Sequence, residues 1–180
     1  MIFIARSYGQ LGNRLFLYAH MIAAARHHGV VVSNPCFAEY AHLFTGTAND
    51  LWCRYPRVTD VGSPPSLRRR KATAKAVYLL VRGLCHLGLT RYPVNVVRLR
   101  GAESCDLATD DFAALAQQDR HLFALGWLFR SESLLHEHAD AVKSHLQIIP
   151  EHRRNVDNLI RSIRSRADVV VGVHIRQGDY

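Results

Sequence analysis

Short apolar runs alternate along this chain with longer stretches in which apolar residues recur every three or four positions. Residues 2–5 form one apolar run and residues 30–33 another, with a glycine-containing loop and a periodic stretch between them. The apolar positions of that stretch share one face of a helix: Leu15, Phe16, Ala19, Ile22 and Ala23. Gly29 is placed to end the helix. The pattern predicts a strand–helix–strand unit with a right-handed crossover.

The periodicity disappears between residues 34 and 66, which we interpret as one long loop. Four prolines interrupt it: Pro35, Pro56, Pro64 and Pro65. A loop of this length inside a compact domain is typically either functional or partly disordered. Four aromatic residues indicate that this loop packs against another part of the protein or a partner: Phe37, Tyr40, Phe44 and Trp52.

The rest of the chain again alternates between the two patterns. Residues 72–89 are typical of a helix with apolar residues nearly all round, and residues 94–100 and 121–127 are typical of strands. Ser131 can cap one helix, with Leu135, Ala139, Val142 and Leu146 in register. Pro150 can start another, with Val156, Leu159, Ile160 and Ile163 on one face.

A continuous apolar run at residues 169–175 predicts a strand buried on both faces, as in parallel sheets. Asp168 breaks the preceding helix. Strands that alternate with helices predict an α/β fold, a Rossmann-like layered domain with a mainly parallel sheet. We expect an α/β domain over residues 1–168, with residues 169–180 beginning a second half.

The composition is that of an ordinary soluble globular domain with an excess of positive charge. Of the 180 residues, 48% are hydrophobic and 21% charged, and 23 Lys and Arg against 15 Asp and Glu give a formal net charge of +8. That excess favours an anionic ligand or surface. The only dense basic run is residues 68–71, followed by Lys75, so we expect no nucleic-acid partner.

The cysteines and the apolar segments indicate a cytoplasmic protein. The four cysteines are far apart and form no Cys-x-x-Cys pair, which argues for reduced thiols. Residues 1–6 are too short for the core of a secretory signal, and residues 76–89 are too short for a membrane span. Residues 66–89, basic and then apolar, could make a weak contact with an anionic membrane, or form a solvated loop that caps a core helix.

Two glycines open the first predicted helix directly after the first strand. Gly9 and Gly12 let the backbone approach a ligand closely, and the helix amino terminus favours phosphate or sugar oxygens. Asn13 is then a candidate helix cap or ligand contact. A Gly-x-x-Gly pair is equally compatible with a tight turn and close helix packing.

A second cluster of polar residues follows the apolar run at residues 169–175. His174 and Arg176 share one face of the predicted strand, and Gly178 permits a turn before Asp179. A guanidinium can grip phosphate oxygens with two hydrogen bonds, which suits a departing nucleotide diphosphate. A solvated arginine and a satisfied aspartate at a strand end are the structural alternative.

Together the motifs at residues 9–16 and 174–180 resemble the GDP-fucose-dependent fucosyltransferases, in particular the α-1,2-fucosyltransferase and related bacterial groups. Residues 34–44 and 126–130 are similar to bacterial members as well. The resemblance implies a GT-B-like, inverting, metal-independent enzyme that transfers fucose from GDP-fucose to a glycan hydroxyl. This chain would be its N-terminal, acceptor-side half and would bind donor weakly on its own.

The resemblance also implies roles for individual residues. Arg176 would hold the donor diphosphate, and Gly12 and Asn13 would lie beside the donor. Many relatives carry a second arginine directly after the first, whereas this chain has Gln177. The chain has no Asp-x-Asp sequence, which agrees with a mechanism that needs no metal and no other cofactor.

An inverting transfer needs a general base, and the candidates are Glu39, His42 and His20. A surface glutamate and histidines on helix faces explain the same residues without chemistry. The alternative function is a non-catalytic α/β module that binds a nucleotide sugar or another anion.

Overall fold

The computed structural model describes residues 1–58 and 62–172, and its central element is a five-stranded sheet. The strands are β1 Ile2–Ile4, β2 Val32–Ser33, β3 Arg54–Tyr55, β4 Asn95–Arg98, β5 Cys105–Asp106, β6 Leu122–Leu125 and β7 Phe129–Arg130. The main sheet has the order β3-β2-β1-β6-β4, and β5 pairs with β7 in a small second sheet. All pairs are parallel except β2 with β3, an antiparallel edge.

Both faces of the sheet are apolar, and helices cover both of them. Ile2 and Ile4 of β1 point into the larger core, while Phe3 between them packs with Phe123 and Val96 in a second, smaller cluster. This alternation follows from the two-residue repeat of a strand. Burial on both sides explains why the central strands β1 and β6 appear in the sequence as continuous apolar runs rather than alternating ones.

The described residues form six α-helices: α1 Leu11–His27, α2 Leu67–His86, α3 Asp110–Ala116, α4 Glu132–Glu137, α5 Ala139–His145 and α6 Pro150–Arg164. Helix α1 packs against α4 and α5 on one face of the sheet. Helix α2 covers the other face through Val77 and Val81. The described chain is therefore an α/β protein with a mostly parallel sheet, as predicted, and is compatible with a Rossmann-like layered domain.

Two predictions about helices were wrong in detail. Phe16 does not lie on the buried face of α1 but is 45% exposed, whereas Leu17, Tyr18 and Met21 are buried. The helix is enclosed on several sides, so a single apolar stripe does not describe its packing. The helix predicted from Ser131 is two helices, since the backbone leaves the helical conformation at His138.

The two predicted helix starts are confirmed. The Ser131 hydroxyl accepts a hydrogen bond from the backbone N–H of Leu134 and caps α4. Pro150 is the first residue of α6, where its missing N–H costs nothing.

The described part of the predicted loop, residues 34–58 and 62–66, packs on the domain through its aromatic residues, as predicted. It contains two short 3-10 helices, Pro35–Phe37 and Ala41–Leu43, and the edge strand β3. Phe37 and Phe44 are buried in the main core. Trp52 lies edge-on to Phe3 on the other side of the sheet.

The chain divides into two compact units, Met1–Gln147 and Ile148–Tyr180. The predicted change of domain at residues 168 and 169 falls inside the second unit, whose only assigned element among the described residues is α6. Residues 169–172 form no strand, and Val169 and Val171 are exposed. An apolar run becomes a buried strand only where other layers cover it. Within residues 1–58 and 62–172, no helix has the length and apolar character that crossing a membrane requires.

Candidate functional site

A cleft lies at the carboxyl edge of the parallel strands in the first unit. Strands β1, β4 and β6 run parallel, so the residues that follow them meet at one edge of the sheet. Arg6 follows β1, Arg98 ends β4, and Trp127 follows β6. They line a cavity of about 1050 Å³. Open α/β sheets bind ligands at this edge.

Positive charge dominates this cleft. Arg82 of α2 and Arg100 beyond β4 join Arg6 and Arg98 around the cavity. Among the described residues, none of these four side chains takes part in an ion pair. The carboxylate of Glu103 accepts a hydrogen bond from the backbone N–H of Arg100 at 2.8 Å, which stabilises the turn formed by residues 100–103. Four guanidinium groups are left available to an anion.

The cleft also offers flat aromatic surfaces. The Arg6 guanidinium lies 5.3 Å from the ring centre of Tyr8 and 5.9 Å from that of Tyr78, which are cation–π distances. Burial raises the pKa of Tyr8 above its ordinary value, so its hydroxyl stays protonated. Trp127 is 43% exposed although it is large and apolar. An anion that carries a ring or a sugar would fit this lining better than a bare ion would.

A second cavity of about 490 Å³ adjoins the first and shares Arg6 and Tyr78 with it. Glu39 lies here between two cations, with its carboxylate 3.0 Å from Nη1 of Arg14 and 2.9 Å from Nζ of Lys71. The hydrogen bond from Lys71, together with the charge of Arg14, lowers the pKa of Glu39. This carboxylate is therefore ionised at neutral pH.

The glycine loop lies between β1 and α1, beside these cavities. Gly9 has a φ of +59°, a conformation that favours glycine, and the Asn13 side chain packs where its Cβ would stand. Nε of Arg14 donates a hydrogen bond to the Gly9 carbonyl at 3.0 Å. Gly9 thus has a structural role, and Asn13 packs on it from the first turn of α1 rather than capping that helix.

Gly12 has no comparable structural reason to be glycine. It is exposed, its φ is not positive, and apart from its chain neighbours and the backbone of its own helix no atom of the described structure lies within 4 Å of the position of a Cβ. The first turn of α1 carries no acidic residue, and Gln10 at its N-cap makes no side-chain hydrogen bond to it. The amino end of a 17-residue helix is therefore open to an anion.

The structure separates the three general-base candidates. Glu39 lines the second cavity. His42 is exposed in the turn Ala41–Leu43 and lines neither cavity. His20 is fully buried, its Nδ1 accepts a hydrogen bond from the Ser131 N–H at 3.1 Å, and burial lowers its pKa. A side chain enclosed in this way cannot reach an acceptor hydroxyl, so His20 belongs to the core.

The arginines of the cleft were not predicted as site residues from the sequence. Arg6 directly follows the apolar run at residues 2–5, and Arg98 lies within the strand predicted at residues 94–100; parallel strands bring the residues at their carboxyl ends to one edge. Both positions could be recognised from the sequence, but that the two arginines share one cleft could be known only from the strand order. The predicted site residues His174, Arg176, Gly178 and Asp179 lie outside the described residues, and their roles stay predictions.

Comparison with known proteins finds no match to this chain among protein-family models, curated proteins or solved structures.

Proposed function

We propose that the cleft at the carboxyl edge of the sheet binds the diphosphate of a nucleotide sugar. The observation that carries this proposal is the set of four arginines that form no ion pair with any described residue, around a cavity lined by Tyr8, Tyr78 and Trp127. A pyrophosphate offers several charged oxygens to planar guanidinium groups, and aromatic rings provide surfaces for a sugar or a base.

The open amino end of α1 supports the same ligand. Gly12 leaves room for a phosphate to approach the backbone, and the uncapped first turn offers N–H groups and the positive end of the helix dipole. Glycine at this position, where the described structure shows no packing contact that a Cβ would disturb, would then serve the approach of the ligand.

The finer proposal rests on the resemblance described above. The chain would be the N-terminal, acceptor-side half of a GT-B-like fucosyltransferase that uses GDP-fucose and inverts the anomeric carbon without a metal. Fucose would pass to a glycan hydroxyl while GDP leaves, with its charge stabilised by guanidinium groups. Arg176 keeps its proposed role at the donor diphosphate.

In this proposal Glu39 is the general base. It is ionised, it lines a cavity next to the arginine cleft, and it can take the proton that the acceptor hydroxyl loses. Its ion pairs with Arg14 and Lys71 would fix the carboxylate in place while making it a weaker base.

The second candidate is a binding module without catalysis, because the same unpaired arginines would hold a nucleotide sugar in a protein that never transfers it. Turnover separates the two when both proposed halves are present: a transferase then releases GDP from GDP-fucose in the presence of an acceptor or water, whereas a binding module leaves the donor intact.

Binding can be tested with the two tryptophan side chains as reporters. Trp127 lines the cleft, whereas Trp52 packs against Phe3 and lines neither cavity. In ¹H–¹⁵N spectra of the protein titrated with GDP-fucose, we expect the indole signal of Trp127 to shift and that of Trp52 to stay. This readout also detects weak binding.

A charge-matched pair of double variants provides the control. Arg82→Ala with Arg98→Ala removes two cleft cations and should weaken binding at least about tenfold, since hydrogen bonds between charged groups contribute about 1.5–3 kcal/mol each. Arg26→Ala with Arg68→Ala removes the same charge from exposed positions that line neither cavity. Equal losses in both double variants, or a shift at Trp52 instead of Trp127, would count against the site.

A further inference from the structure

Three metal-ligating side chains meet at a place that the proposed function does not use. His27 lies in the last turn of α1, Glu137 ends α4, and His138 joins α4 to α5. One ring nitrogen of each histidine and one carboxylate oxygen of Glu137 converge there. The cluster lies at the opposite end of α1 from Gly12, about 22 Å away along the helix axis.

The three atoms form a closed and nearly equilateral triangle. Nδ1 of His27 and Nε2 of His138 are 3.3 Å apart. Oε1 of Glu137 lies 3.6 Å from the first nitrogen and 3.4 Å from the second. All three distances involve the same three atoms, so they describe one site rather than separate contacts.

That triangle has the dimensions of one face of a tetrahedral metal site. Zn²⁺ binds histidine nitrogen at about 2.0–2.1 Å and carboxylate oxygen at about 2.0–2.2 Å, which places tetrahedral ligand atoms about 3.3–3.5 Å apart. The three observed separations are close to this range without any movement of the side chains. Two imidazoles and one carboxylate are also a ligand set that zinc sites use.

We propose that His27, Glu137 and His138 bind a divalent transition-metal cation of the Zn²⁺ class, with a fourth position open to water. Their side chains are 40%, 56% and 17% exposed, so an ion can enter from solvent. The bound ion would link the end of α1 to the junction of α4 and α5. It would therefore stabilise the packing of these helices, and it takes no part in sugar transfer.

The sequence alone could not show this site. His136 and His138 are two residues apart, a spacing that places two side chains on different faces of a helix. It is therefore not the spacing of a helical metal motif. The nitrogen that His138 meets belongs to His27, 111 positions away in the sequence.

The test uses metal-free protein without a histidine tag. Titration with Co²⁺ should produce the visible absorption of a four-coordinate ion, and calorimetry with Zn²⁺ should give one site per chain. The thermal midpoint should rise by several degrees at saturating Zn²⁺, because the ion binds the folded state.

Variants identify the ligands. His27→Ala and His138→Ala should each weaken binding by more than roughly 100-fold, since loss of even an outer-shell partner costs 10- to 100-fold. Glu137→Gln keeps the side-chain shape and should weaken binding as well. His136→Ala, an exposed neighbour on α4, should bind Zn²⁺ like the parent protein.

Other results would overturn the site. One is Zn²⁺ binding that survives His27→Ala, and another is binding that His136→Ala abolishes. A third is the absence of saturable binding of Co²⁺ and Zn²⁺, which would make the cluster a set of hydrogen-bonded side chains only. None of these results bears on nucleotide-sugar binding, because the cleft lies at the other end of α1.

Discussion

At the scale of single residues, the buried histidine of α5 couples folding to protonation. His145 is 5% exposed, and its Nε2 lies 3.1 Å from the Tyr18 hydroxyl. The rings of Tyr18 and Tyr55 approach it edge-on, at 5.7 and 5.2 Å between centres. Burial lowers the pKa of His145 from 6.5 to about 4. The folded protein therefore holds this imidazole neutral where the unfolded chain would protonate it.

We predict that this histidine makes the protein less stable in mild acid. Between pH 7 and pH 5 the unfolded chain gains a proton at His145 and the folded protein does not, so the free energy of unfolding falls by about 2 kcal/mol. The loss is confined to pH values below about 6.5 and ends near pH 4. Burial of His20 acts in the same direction. Urea unfolding at the two pH values measures the change.

A His145→Gln variant, which cannot titrate, provides the comparison. It should lose most of this pH dependence, and the remainder should reflect His20. An exposed-histidine variant, His42→Ala, should keep the full dependence of the parent protein. The explanation fails if His145→Gln loses as much stability between pH 7 and pH 5 as the parent does.

At the scale of elements, one buried arginine holds the long loop on helix α2. Arg70 is 2% exposed. Its guanidinium donates to the carbonyls of Asp50 at 2.7 Å, Ala48 at 2.6 Å and Thr47 at 3.2 Å, and its Nε donates to Pro65 at 3.3 Å. A single side chain thus satisfies four carbonyls of a segment that has little regular structure.

We predict that Arg70→Ala lowers the free energy of unfolding by at least about 3 kcal/mol, because several buried carbonyls lose a charged donor. Urea unfolding followed by fluorescence of Trp52, which lies in the same loop, would detect it. The neighbouring Arg69→Ala removes the same charge from an exposed position and should change stability by less than about 0.5 kcal/mol. Similar effects of the two substitutions would show that Arg70 does not hold the loop.

The same elements show which parts of this structure the sequence reveals. Strands β1 and β6 were predictable because a strand buried on both faces is apolar at every position, and β4 because its sequence is rich in β-branched residues. The starts of α4 and α6 were predictable because Ser131 and Pro150 act within one turn of the chain. Local chemistry therefore identified these two helix starts.

What depends on distant residues was not predictable. Arg70 stands in a basic run that looks solvated, and only the positions of the carbonyls of residues 47, 48, 50 and 65 make it a buried donor. The Arg6 and Arg98 side chains share a cleft only because β6 lies between β1 and β4. Strand order and loop path decide both features, and neither is encoded in local spacing.

At the scale of the whole molecule, the net charge of +8 attracts anions of any kind and must be separated from a specific site. Long-range attraction is screened by salt, since the Debye length falls from about 10 Å at 0.1 M to about 3 Å at 1 M. Contacts of a sugar or base with Tyr78 or Trp127 act at short range. Salt should therefore weaken the binding of every anion while leaving the order of affinities among sugar nucleotides unchanged.

We predict that GDP-fucose binds more tightly than inorganic pyrophosphate and UDP-glucose at low salt and keeps that order at high salt, although all affinities fall. Competition titrations at about 0.05 and 0.5 M NaCl, followed by the Trp127 indole signal, measure the ratios. Pyrophosphate is the matched control because it carries the charge without sugar or base. If all three ligands bind equally at low salt and are lost together at high salt, the cleft is an unspecific anion surface, and the fucosyltransferase proposal loses its structural support.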